Sequence, residues 1–117
     1  MPTIRDLVGA LRHRDGVEAA VVLGRDGLLI DSQTEPTVDA ERVAALMPSI
    51  VAAADEYASH DGRGTLTTAI LEFTQGIAII SVLTNDAILV VLAKTNTNLA
   101  PLLFDLRRNR ENIAALV

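Results

Sequence analysis

GIAIISVLTNDAILVVLA, residues Gly76 to Ala93, is apolar almost throughout and is interrupted once, at Thr84-Asn85-Asp86. A helix that crosses a bilayer needs about 20 unbroken apolar residues. Each half here is only strand length and rich in Val and Ile, and the break between them carries turn residues. The stretch therefore predicts a hairpin, Ile77 to Leu83 and Ala87 to Ala93, with no insertion into a membrane. Neither half alternates as a one-sided strand would, so both belong in the middle of a sheet covered on two faces.

Working outward, Thr65 to Phe73 is a third strand of the same meander, joined through Thr74-Gln75-Gly76 by a loop short enough to force antiparallel pairing. Upstream, Val17 to Leu23 and Leu28 to Ser32 form a hairpin around Arg25-Asp26-Gly27. Three helical patterns separate and flank these strands. Ile4, Leu7, Val8 and Leu11 follow the i, i+3, i+4, i+7 rule behind Thr3 as N-cap, with Asp15-Gly16 as the stop. From Asp39 to about His60, Val43, Leu46, Met47, Ile50, Val51, Ala54 and Tyr57 make one stripe, and Pro48 inside it predicts a kink or a local break. After Lys94, Asn98 is the expected N-cap, with Pro101 in the first turn and Leu99, Leu102, Leu103, Leu106, Ile113 and Leu116 buried. The sum is one α+β domain over residues 1–117, in the order helix-β-β-helix-β-β-β-helix, with a five-stranded antiparallel sheet and helices on both faces.

The chain has 117 residues, a net charge of -5 and no Cys, which removes disulfides, thiol nucleophiles and thiolate metal sites. An acidic balance disfavours nucleic acid as a ligand, because phosphate binding needs a concentrated positive field. Arg5, Arg12 and Arg14 at one end and Arg107, Arg108 and Arg110 at the other would form a basic patch only if the two terminal segments met; the simpler reading is solvated helix faces. Aromatics at 3% leave no stacking platform for single strands. Met1-Pro2-Thr3 leads directly into an amphipathic segment without a secretory pattern, so a cytoplasmic protein is expected.

Catalytic chemistry has no foothold in the pattern. His13 and His60 belong to no ligand-spaced set. Asp55 and Glu56 are adjacent, point about 100 degrees apart on a helix and read as a solvated face. Ser32, Ser49, Ser59 and Ser81 lack a nucleophile-elbow setting, and Gly62-Arg63-Gly64 is neither a dinucleotide fingerprint nor a phosphate loop. Arg42 or Arg63 acting as an arginine finger in another protein's nucleotide site is a weaker reading. No catalytic residue, cofactor, metal or small-molecule substrate is expected.

What the pattern does predict is a partner. With three helices on two faces, one face receives a single helix, and the middle one is the expected candidate. Its flanks carry Ala44, Ala45, Ala52 and Ala53, small enough for a second helix to approach. The third strand, meanwhile, ends the meander without Lys, Pro or another edge guard. A two-fold homodimer follows, third strand to third strand and middle helix to middle helix, with Val43, Met47, Ile50, Ala54, Thr65, Thr67, Ala69, Leu71 and Phe73 at the interface. The alternative is that the chain's own loops cover the edge.

The element order, together with Gly16-Val17-Glu18-Ala19-Ala20-Val21-Val22-Leu23, Arg25-Asp26-Gly27-Leu28-Leu29-Ile30, Asp39-Ala40-Glu41 and the tail from Ala87 to Ala93 and on to Asn98-Leu99, resembles the Roadblock (dynein light chain) family over nearly the whole chain. The resemblance implies a profilin-like fold, dimers whose sheets join through the third strands into one continuous sheet, and no chemistry of its own. A short chain of this kind is similar to the prokaryotic MglB-like type, which implies a small Ras-like GTPase as partner, regulated through the placement of its own switch residues. On that analogy the partner face is Arg42, Ala45, Ser49, Ala52, Ala53 and Glu56. Two other roles compete: a light-chain-like subunit of a multiprotein scaffold with no effect on a GTPase, and a small-molecule sensor with a pocket between layers.

Overall fold

The apolar hairpin lies inside the sheet in the computed structural model, which describes residues 2–117. The elements are α1 (Ile4–Arg12), β1 (Val17–Gly24), β2 (Leu29–Thr34), α2 (Ala40–His60), β3 (Thr68–Phe73), β4 (Gly76–Val82), β5 (Ala87–Ala93), α3 (Ala100–Arg108) and α4 (Arg110–Ala114). The strands run β2-β1-β5-β4-β3, all neighbours antiparallel, so β5 is central and β2 and β3 are the edges.

Strand parity divides the core in two. Ala20, Val22, Ile77, Ile79, Leu89 and Val91 point to the face covered by α1, α3 and α4, where they meet Val8, Leu11, Leu102, Leu106 and Ile113. Ala19, Val21, Leu23, Ile80, Val82, Ile88 and Val90 point to the face that α2 covers alone, with Val43, Ala44 and Val51. Double burial thus explains why the hairpin does not alternate.

Several boundaries differ from the sequence expectation, each for a local reason. Leu28 belongs to the turn, because its N–H donates to Asp26 Oδ1 and its carbonyl accepts from Gly24; β2 begins at Leu29 and extends to Thr34. β3 begins at Thr68, so Thr65 and Thr67 precede it. Gly64 takes a left-handed φ of 83°, and the Leu66 N–H donates to Asp55 Oδ1 at 2.6 Å, which draws this approach toward α2. The local break expected at Pro48 is absent, since α2 is one helix of 21 residues. The proline deprives the Ala44 carbonyl of its helical donor without interrupting the helix. The C-terminal helix is two pieces meeting at Asn109, and its N-cap position is Leu99, not Asn98. Asn98 Oδ1 nevertheless accepts the Ala100 N–H at 3.2 Å. Thr3 caps α1 as expected, in a reciprocal capping box with Asp6.

Candidate functional site

A lone helix on a sheet buries one stripe and leaves the rest in water. On α2 the stripe is Val43, Ala44 and Val51, with Met47 and Ile50 half-buried against the same core. Of the expected interface residues, Val43, Met47 and Ile50 therefore spend their side chains on the chain's own sheet, and Ala54 is half-buried. Leu46 and Tyr57, expected in the buried stripe, are instead 59% and 62% exposed. The flank they occupy has no second helix beside it to cover it. Ala53 shares that flank at helical spacing, and Arg42, Ala45, Ser49, Ala52 and Glu56 continue the exposed surface outward. The Arg42 guanidinium has no hydrogen bond or ion pair among the described residues, although its N–H is held by the Asp39 cap. With Thr37, Asp39, Val43, Leu46 and Met47 it lines an open groove of about 410 Å³ at the N-terminal end of α2.

The second feature is the β3 edge. Val82 N–H donates to the Thr67 carbonyl, and alternation from that pair turns Ala69, Leu71 and Phe73 inward to β4. The N–H and C=O groups of Thr68, Ile70 and Glu72 are left on the open side. No side chain among the described residues caps them. Ile70 and Phe73 are 46% and 57% exposed, and Ala69 and Leu71 lie half-buried on the α2 face.

Asp55 fastens the two parts together, which the sequence reading as a solvated face missed. Its carboxylate accepts the Leu66 N–H and pairs with the Arg25 guanidinium at 2.9 Å, tying α2 to both the approach to β3 and the β1–β2 turn. The Leu66 N–H, and after it Arg25, hold the Asp55 pKa below the ordinary carboxylate value. The available signal was position: Asp55 follows buried Val51 by four residues, on the side that the helical period turns toward the sheet. Arg63, considered as an arginine finger, donates to Asp61 instead. Of the terminal arginines, Arg14, just after α1, pairs with Asp105 of α3, and Arg110 donates to the Val82 carbonyl. His13 follows α1 and His60 ends α2; among the described residues no three His, Asp or Glu side chains stand together as a metal site would require. No helix among them is long and apolar enough to cross a membrane.

With this geometry in hand, the chain can be set beside known proteins. The Roadblock/LC7 domain profile matches residues 3–93. The Methanocaldococcus jannaschii protein MJ1340, itself uncharacterized, is 35% identical over 106 residues, covering 91% of this chain and 92% of its own. Among solved structures, a Roadblock/LC7 domain from Streptomyces avermitilis superposes with a TM-score of 0.85 at 20% identity, over 97% of each chain. Myxococcus xanthus MglB superposes with a TM-score of 0.82 at 18% identity, over 92% of this chain and 88% of its own. These structural likenesses establish a shared fold.

Proposed function

The chain belongs to the Roadblock/LC7 family, and on that premise we propose that it is a non-enzymatic homodimer that regulates or scaffolds a small Ras-like GTPase. The observation that carries this reading is that one chain has both an unguarded strand edge, whose approach at Leu66 is held by Asp55 of α2, and an uncovered flank on that same helix. Two copies related by a two-fold axis complete both deficits at once. The open groups of Thr68, Ile70 and Glu72 pair across the axis, joining two sheets into one. Because Val43, Met47 and Ile50 serve the chain's own core, the second α2 packs on Leu46, Ala53 and Tyr57. Arg42, Ala45, Ser49, Ala52 and Glu56 then form a doubled helical surface for the GTPase. A regulator of this kind needs no catalytic group, because a rigid surface that holds the GTPase's switch segments in their reactive positions suffices.

The test has two stages. Light scattering should return a mass near twice the 12.5 kDa chain. The small GTPases of the source cell, each loaded with GTP or GDP, are then screened for binding, and hydrolysis is followed in single turnovers. Preferential binding of one loaded form, lost in Arg42→Glu and Ala52→Arg, is the expected result. Failure of every GTPase to bind would sink the reading. Binding to a second Roadblock chain, with hydrolysis unchanged, would establish the scaffold role in its place.

A further inference from the structure

The two edges of the sheet are built differently. On β2, the Glu35 N–H donates to the Glu18 carbonyl, and alternation from that pair turns Asp31 and Gln33 inward to β1 and leaves Ser32 and Thr34 facing outward. The outward N–H of Ser32 is not free. Asp31 Oδ1 accepts it at 2.8 Å, and the same oxygen accepts from Arg5 Nη2 of α1 at 3.2 Å. The Asp31 side chain is 17% exposed while Arg5 is 71% exposed, so the carboxylate is tucked against the edge and the arginine anchors it from outside. No such cap stands on β3 among the described residues. The β2 edge also has reason to need one, since Leu28 and Ile30 at its start are 67% and 50% exposed.

We infer that Asp31, anchored by Arg5, is a stop that prevents further strands from adding to β2 and so limits assembly of this protein to the dimer. The inference rests on the dimer just proposed: once β3 pairs with β3, both outer margins of the joined sheet are β2 strands, and an uncapped β2 would let dimers add end to end. An incoming strand must offer a carbonyl to the Ser32 N–H. It meets a carboxylate that already accepts that N–H and repels the carbonyl oxygen, so pairing would require desolvating and displacing an anion. The partner excluded in this way is a second copy's β2, or any extended segment seeking an open edge.

The test compares the mass of wild type, Asp31→Ala and the double variant Asp31→Ala/Ser32→Pro across a dilution series by light scattering. Wild type holds a constant two-chain mass. Asp31→Ala should grow with concentration to at least four chains, and the double variant should return to two, because proline at an outward edge position removes the exposed donor and spares the ladder. An Asp31→Ala mass equal to that of wild type would overturn the inference, as would equal growth of the double variant. If Asp31→Ala does not fold, Arg5→Ala, which removes only the anchor, decides between the same outcomes with a smaller shift. Ile70→Lys separates this inference from the dimer it rests on. A wild-type chain that runs as a monomer refutes β3 pairing, and Asp31→Ala then tests the stop by forming dimers; in an Ile70→Lys background, the same substitution should likewise stop at two chains.

Discussion

The two faces of this sheet are made from the same strands but finished differently. On the α1, α3 and α4 face, helix residues from both ends of the chain close over β1, β4 and β5, and the terminal segments are locked by Arg14–Asp105. On the other face α2 lies alone, its inner stripe satisfied and one flank holding Leu46 and Tyr57 in water. The difference teaches that a chain can complete its own core on both faces of a sheet while leaving one flank of a covering helix bare. Both faces hold fully buried core residues, but the second has a single covering helix, and that helix leaves large apolar side chains in water.

The sharpest test of that division is Leu89→Ala on the closed face. Leu89 is fully buried there, so its truncation should cost about 3 to 4 kcal/mol in urea unfolding, independent of protein concentration. Leu46→Ala on the open flank should cost the isolated chain less than about 0.5 kcal/mol and reveal itself only in dimer dissociation. A large loss from Leu46→Ala in a dilute monomer would break the comparison.

Ile70→Lys should come next in size. Across a two-fold axis it places like charges on paired edges, weakening association by about 2 to 3 kcal/mol, which dilution followed by sedimentation would measure. The melting temperature of the separated chain should barely move.

Asp55 joins the two regions, and its pH dependence follows from the lowered pKa. A carboxyl held below its unfolded value, about 3.9, contributes stability that is fully present above that pH and lost as pH falls through the folded value. Asp55→Asn should therefore be about 1 to 2 kcal/mol less stable than wild type at neutral pH, with the gap closing below about pH 4. An equal gap at pH 3 and pH 7 would remove the carboxylate from the account.

Thr3→Ala, which deletes the α1 cap, should cost about 1 kcal/mol, or roughly 4 °C in melting temperature.

Much of this organisation was legible in the residues. Thr3 was read as the α1 cap, and the β1–β2 hairpin and the β3–β4–β5 meander followed from loop lengths too short for crossovers, whereas the pairing of β1 with β5 did not. Leu46 and Tyr57 were misread because a helical stripe is wider in sequence than the strip one helix can press on a sheet; periodicity identifies a side, not how far its burial extends. Asp55 was misread because its partners, Arg25 and Leu66, lie 30 residues before and 11 residues after it, beyond any local pattern. For the same reason Asp31 drew no notice: its anchor is 26 residues away on α1.

By itself, then, the sequence determined the elements, the antiparallel pairing within the β1–β2 hairpin and the β3–β4–β5 meander, and the need for cover on two faces, because hydrophobic period, turn chemistry and loop length are local quantities. Only the tertiary structure decided that β1 pairs with β5, that Asp31 holds the Ser32 N–H on the β2 edge, and which flank of α2 stays bare. Those outcomes depend on where side chains distant in the chain meet, and a carboxylate becomes a tie or a stop only when the donors it accepts are brought within hydrogen-bond reach.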